Sequence, residues 1–227
     1  MLIQIYFFVL GASLGSFLTL CVARTILGQS IISPRSHCDN CLHVLQPFDL
    51  IPIISYCLLN GRCRYCQKEF SPTSCLIELL MGILFLHNFQ TASSNLALIS
   101  RLLIVISLIY LSLTDLKTTW VNGNLIGVLG VIGFIYHPTF LNLIVLGLLA
   151  ISLLTSFQLS SFIPGLGEAD FELFFAFILL THLQASVVIL FVAAASCLIS
   201  QLLFSHYRTK QIPFIPYLTF AYFLVTA

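Results

Sequence analysis

Charge is what this chain has least of. Only 7% of its 227 residues are Asp, Glu, Lys or Arg, against about 25% in an ordinary soluble domain. Hydrophobic residues make up 59%, so most of the surface must face lipid or other helices rather than water. Nine basic and eight acidic residues leave a net charge of +1, which excludes broad electrostatic attraction to nucleic acid. Also missing are internal repeats visible by eye, low-complexity tracts, and a Gly-rich nucleotide-binding fingerprint. The six His are scattered, and none is paired with a Ser or Cys in a nucleophile motif. Acyl-enzyme chemistry therefore has no convincing carrier. Function must come from the few polar groups present.

What is there is a series of apolar runs. A membrane-crossing helix needs about 20 mostly apolar residues. On that measure the fold class is an all-α polytopic membrane protein with about eight transmembrane helices. The predicted spans are Leu2–Ala23, Thr73–Phe89, Leu96–Leu116, Val121–Tyr136, Phe140–Phe162, Asp170–Leu183, Ala185–Ser205 and Pro213–Ala227. The division between the sixth and seventh rests on His182 and Gln184 alone. Residues 1–23 lack a basic start and stay apolar to Ala23, so they read as a retained helix rather than a signal peptide.

One long polar stretch, 24–72, interrupts this pattern. It carries Arg24, Arg35, Arg62, Arg64 and Lys68. Lys117 follows the third span, Arg208 and Lys210 follow the seventh, and only Arg101 falls toward the other side. With alternating spans, eight of the nine basic residues share one face. The positive-inside rule makes that face cytoplasmic.

The same stretch holds two C-x-x-C units, Cys38-Asp39-Asn40-Cys41 and Cys63-Arg64-Tyr65-Cys66. Each supplies two thiolates, and together they match a zinc-ribbon pattern. A reducing compartment favours zinc at Cys38, Cys41, Cys63 and Cys66 over disulfides. A loop this small needs such a staple to fold. Between the pairs, Asp49-Leu50-Ile51-Pro52 reads as a strand or turn packed on the bilayer surface. Cys21, Cys57, Cys75 and Cys197 stand alone in apolar contexts and read as small buried hydrophobes.

Among the acids, Asp39, Asp49 and Glu69 belong to the polar loop. Glu78 lies inside the second span, where a carboxylate is costly. A hydrogen-bonded side chain facing the bundle is favoured there over a site role. Asp115 ends the third span, and its i,i+2 spacing from Lys117 does not place the two on one helix face. Asp170 opens the sixth span after Gly165-Leu166-Gly167-Glu168-Ala169, in a helix-capping position. Both lie near the cytoplasmic boundary. Two carboxylates at one depth can share a proton and act as base and acid on a peptide bond. Helix dipoles favour the anion at Asp170 and disfavour it at Asp115, suggesting Asp170 as base and Asp115 as acid.

Read in order, these motifs resemble the bacterial type IV prepilin peptidases, the leader peptidases of pilins and competence pseudopilins. Gly11-Ala12-Ser13-Leu14-Gly15-Ser16-Phe17 is similar to the family's first-helix signature. Pro34-Arg35-Ser36-His37-Cys38 through Cys41, Asp49 through Ser55, and Gly61-Arg62-Cys63-Arg64-Tyr65-Cys66 follow in family order. Ile212-Pro213-Phe214-Ile215-Pro216-Tyr217 resembles the closing Pro-rich motif.

The resemblance implies an intramembrane aspartyl endopeptidase. Asp115 would be the first catalytic acid. Asp170 would be the second, in a Gly-x-Gly-Asp-x-Lys-Leu motif that departs at Ala169 and Glu172. The competing register, Gly165-Leu166-Gly167-Glu168, keeps both glycines and puts Glu168 where the Asp belongs. The following Leu173-Phe174 favour Asp170. The implied substrates are prepilins or pseudopilins with a basic leader. The implied second activity is S-adenosylmethionine-dependent N-methylation, linked to the polar loop.

The organisation expected is thus residues 1–23 as the first transmembrane helix, 24–72 as a cytoplasmic zinc-knuckle loop and methyltransferase region, and 73–227 as a seven-helix peptidase domain in the bacterial cell membrane. Three rivals remain at this stage. They are a transporter or channel using intramembrane carboxylates, a zinc-knuckle scaffold without activity, and a peptidase inactivated by Ala169.

Overall fold

The computed structural model describes residues 1–119, 121–155, 167–203 and 212–226. Nine α-helices run through these residues: α1 (Leu2–Ile26), α2 (Ile54–Leu58), α3 (Thr73–Thr91), α4 (Asn95–Thr118), α5 (Gly123–Tyr136), α6 (Phe140–Thr155), α7 (Glu168–Thr181), α8 (Leu183–Leu203) and α9 (Ile215–Thr226). The eight apart from α2 coincide with the eight predicted spans. Four of them, α1, α3, α4 and α8, are long and apolar enough to cross a membrane. The weak boundary near Gln184 is a true break, because His182 caps α7 with φ +76°. Residues 156–162 of the predicted fifth span, together with Ser205, Arg208, Lys210 and Ala227, lie outside the described residues.

The chain forms two compact units, Met1–Val105 and Ile106–Ala227. In the first, α1 and α3 pack along each other. Their backbones meet closely at Gly11, where an added Cβ would lie 2.5 Å from the Met81 carbonyl oxygen and 2.8 Å from the Phe85 ring. Membrane helices without a hydrophobic driving force between them rely on such close approach. Phe7 and Phe89 stack at 4.3 Å. At the far end of α1, buried Arg24 donates to the carbonyl oxygens of Ser30, Ile31 and Pro34, at 3.2, 2.9 and 2.7 Å. That clamp turns the chain into the polar loop.

The loop contains no named strand. The stretch read as strand or turn is a 3-10 turn at Pro47–Leu50. Each Cys pair instead closes its own hairpin, and the two hairpins share one backbone pattern. Cys38 N–H donates to the His43 carbonyl (3.0 Å), and Leu42 N–H donates to the Cys38 carbonyl (2.8 Å). Cys63 and Lys68 (2.9 Å), then Gln67 and Cys63 (3.0 Å), repeat this. Isolated antiparallel bridges, His37 with Val44 and Arg62 with Glu69, close both. Leu42 and Gln67 take matching positive φ values of 57° and 60°. Every member is displaced by the same interval along the chain, so the loop holds a structural repeat whose chief side-chain mark is the pair of C-x-x-C units.

In the second unit α7 packs on α5, α6 and α8, and α9 packs on α8. Gly133 of α5 lets the α7 backbone come close: a Cβ there would lie 2.6 Å from the Leu179 carbonyl carbon. Leu173, Ala176, Phe177 and Leu179 of α7 are fully buried, and Phe177 stacks on Tyr222 of α9 at 5.2 Å. A helix of this central kind fixes the acids at its start.

Candidate functional site

Asp115 occupies the last turn of α4 and is buried. Its Oδ2 accepts the Ile215 backbone N–H at 3.1 Å. Ile215 is the first residue of α9, where helical N–H groups have no partner within the helix. One turn back on α4, Ser112 Oγ donates to Thr219 Oγ1 at 2.7 Å. Two hydrogen bonds thus fasten the end of α4 to the start of α9. This changes the dipole argument made from sequence. The end of α4 disfavours an anion at Asp115, but the start of α9 favours one, so dipoles do not divide the roles of the two acids.

Asp170 is the third residue of α7 and is partly buried. Its Oδ2 accepts the Gly167 backbone N–H at 3.1 Å, which is one half of a capping box; Gly167 has no side chain to supply the other half. The Asp115 carboxylate lies within electrostatic reach of Asp170. The two acids, far apart in the chain, thus act on one another through space. Glu168, from the competing register, is exposed as the first residue of α7; Gly165 and Leu166 lie outside the described residues. Ala169 sits in regular helix and is absent from the positive-φ positions. A glycine is not needed there for backbone freedom.

Glu172, treated in the sequence only as a replacement for Lys, proves to be buried. Its Oε1 accepts Ser152 Oγ of α6 at 3.1 Å, and its Oε2 lies 3.3 Å from where a Cβ on Gly123 of α5 would stand. A third carboxylate is therefore held inside the bundle two residues beyond Asp170. A Glu among the apolar residues of α7 was the available signal.

The four predicted thiol ligands come together. Ligand atoms of Cys38, Cys41, Cys63 and Cys66 all lie within 4.8 Å of one another, and Cys38 Sγ is 3.9 Å from Cys66 Sγ. Tetrahedral zinc with bonds of about 2.3 Å needs sulfurs about 3.8 Å apart, so the cluster fits the ion. Around it, Asn40 Nδ2 approaches Cys66 Sγ at 3.6 Å, and Tyr65 N–H approaches Cys63 Sγ at 3.5 Å. Such donors stabilise thiolate. Hydrogen bonding from the Lys68 backbone and the Asn40 amide holds the Cys66 thiol down at about 6. At Cys41 the His43 backbone bond acts in the same direction, but desolvation and the three neighbouring thiols outweigh it and push the group up to about 11. Crowded thiols without a cation cannot all ionise.

Glu78 is buried in α3 and accepts the Ile53 backbone N–H at 2.8 Å. It is a hydrogen-bonded side chain, as its position in a span requires. Of the isolated cysteines, only Cys21 is fully buried; Cys75 and Cys197 are partly buried and Cys57 is exposed. The expectation of burial thus fails at Cys57, whose short helix lies at the edge of the loop.

Two family models match the chain. "Bacterial Peptidase A24 N-terminal domain" covers residues 9–91, which include all four clustered cysteines. "Type IV leader peptidase family" covers residues 102–202, which include Asp115 and Asp170. Relatives named "Prepilin leader peptidase/N-methyltransferase" include one from Aeromonas hydrophila, 31% identical over 85% of this chain and 71% of its own length. The one from Myxococcus xanthus is 40% identical over 51% of this chain and 34% of its own. The one from Bacillus subtilis is 34% identical over 48% and 44%. The chain thus spans from about a third to about seven-tenths of these relatives. No solved structure gives a significant match. Helices, acids and cysteines in this order, under matches that cover both halves of the sequence, place the chain in the type IV leader peptidase family.

Proposed function

We propose that the protein is an intramembrane aspartyl endopeptidase that removes the leader from type IV prepilins or pseudopilins at the cytoplasmic face of the bacterial cell membrane. The observation that supports this reading is the electrostatic interaction between Asp115, at the end of α4, and Asp170, at the start of α7. The names of the relatives supply the substrate class. The basic residues of the polar loop and Lys117 supply the orientation.

In the reaction, one carboxylate is ionised and takes a proton from water as that water attacks the scissile carbonyl. The other carboxyl is protonated and donates to the oxyanion or the departing amine. The two carboxyls hold one proton between them before and after the reaction, on opposite partners, and it is redistributed when products leave; no covalent intermediate forms. Backbone N–H groups of Ile215 and Gly167 each hold one oxygen of a carboxylate. The opposite oxygens remain for water and substrate.

Zinc at Cys38, Cys41, Cys63 and Cys66 acts as a structural staple, drawing the two hairpins together. Methylation of the new N-terminus from S-adenosylmethionine follows the relatives' names; no residue of this chain is assigned to that donor.

The test is co-expression with a tagged prepilin, comparing wild type with Asp170→Asn and Glu168→Gln. Loss of processing in the first with retention in the second is the expected outcome. Normal processing by Asp170→Asn removes the aspartyl mechanism, and loss only in Glu168→Gln moves the second acid to Glu168. Labelled methyl donor with the same membranes checks methylation; an unlabelled mature pilin withdraws it.

A further inference from the structure

Between the two cysteine hairpins, the chain makes an unusual turn. Ile53 has φ +62° and ψ −51°, and Ile54 N–H reaches back to the Pro52 carbonyl at 2.6 Å. This is a γ-turn of the rarer, strained hand, at a β-branched residue that disfavours positive φ. The turn leaves the Ile53 N–H pointing away from its own segment, and Glu78 takes it at 2.8 Å. Glu78 is five residues into α3, or about 7.5 Å along the axis. Cys57, on α2, lies within electrostatic reach of Cys75 in the first turn of α3. The Glu78 hydrogen bond thus holds Ile53, at the entrance of α2, beside the opening turns of a helix that is long and apolar enough to span a membrane.

The two faces of this segment differ. One is tied to the second hairpin. Asp49 pairs with Arg64 at 2.8 Å, and Tyr56 lies against Gly61, where a Cβ would be 2.8 Å from its hydroxyl. The other carries Phe48, 71% exposed, and Leu58, 77% exposed, with Leu50, Ile51 and Ile54 also exposed. Ile54, Cys57 and Leu58 fall at i, i+3 and i+4 and share one side of α2. A large apolar face held at the depth of a span's first turns has lipid as its neighbour. Amphipathic segments that lie in a bilayer interface bury their apolar side by about 5–10 Å, the depth at which Glu78 fastens this one.

We infer that residues 47–58 form an interfacial wedge, with Phe48, Ile54 and Leu58 inserted among the upper acyl chains of the leaflet on the side of the cysteine loop and Glu78 as its anchor. The loop is then part of the membrane-embedded body rather than a domain suspended in water. This inference rests on the membrane embedding alone and is independent of the catalytic reading.

The experiment uses the full chain with its single tryptophan replaced, Trp120→Phe, and either Leu58→Trp or Phe48→Trp added. Each variant is reconstituted in phosphatidylcholine–phosphatidylglycerol vesicles whose upper acyl carbons carry bromine. Expected is blue-shifted emission that the brominated lipid quenches by about twofold or more, with little quenching by aqueous iodide. Quenching by iodide instead places the face in water and overturns the wedge. Emission protected from both quenchers means that protein covers the face, this chain's own or a second copy, and overturns it equally. Adding Glu78→Ala to the Leu58→Trp variant is expected to lower the lipid quenching, whereas Glu78→Gln, which keeps an acceptor oxygen for Ile53, preserves it. Equal quenching in both overturns the anchor.

Discussion

Replacing Asp115 separates its chemical part from its structural part. Its Oδ2 is the acceptor for the Ile215 N–H at 3.1 Å, and Ile215 is 1% exposed. Asp115→Asn keeps an oxygen at that place, so the N–H stays satisfied and the end of α4 stays fastened to α9. Asp115→Ala removes the acceptor and leaves a buried donor unpaired, a loss of about 1–3 kcal/mol. Neither variant can exchange a proton with water or substrate. Loss of a general acid or base lowers rate by about 10²- to 10⁴-fold, or about 3–5 kcal/mol in the barrier. The two variants should therefore be equally inactive and unequally stable. Cleavage of a tagged prepilin in membranes measures the first, and thermal unfolding in detergent measures the second. Expected is no mature pilin from either variant, with Asn melting close to wild type and Ala clearly below it. Processing by Asp115→Asn within about threefold of wild type would refute the chemical role, because that is less than the smallest loss expected on removing a general acid or base.

Two further predictions concern packing and metal. Gly11→Val should destabilise the protein by about 1–3 kcal/mol or more, because the side chain meets the Met81 carbonyl and Phe85, whereas Gly147→Ala, with nothing within 4 Å, should melt like wild type; equal melting of the two would show that α1 and α3 do not approach as described. Strong chelation, or Cys63→Ser at a fully buried ligand, should release the ion and open residues 36–69 to protease while the membrane helices stay intact; a zinc content near one per chain in Cys63→Ser would remove the four-thiolate centre.

Much of this architecture could be read in advance because lipid imposes a simple rule. Helix length and continuous apolarity placed eight spans, and all eight correspond to helices, with their ends shifted by a few residues where those ends are described. Cysteine spacing placed the four-thiol cluster for a similar reason, since four thiolates able to hold one ion restrict the chain strongly. What could not be read depends on backbone groups that carry no letter of their own. The Ile215 N–H that holds Asp115 is a hundred residues away. The Ile53 N–H that satisfies Glu78 exists as a free donor only because of the turn at Ile53. Glu172 was visible as a residue, but its partner Ser152 lies on another helix and becomes a neighbour only once α6 and α7 pack. Beyond their cysteine pairs the repeated hairpins share hydrogen bonds and φ values but few side chains, which is why no repeat was seen in the sequence.

That repetition has a consequence for how the polar loop can vary. Each hairpin ties itself off with bonds between near neighbours, so an ion held by the four thiols would need only to bridge two prefabricated ends. The entropy of closing such a ring rises logarithmically with the span it encloses, and doubling the enclosed span adds only about 0.6 kcal/mol. Insertions or exchanges in the middle of the ring therefore leave metal capture almost untouched. The loop couples a rigid frame to an insert that can be remodelled for another purpose at little thermodynamic penalty.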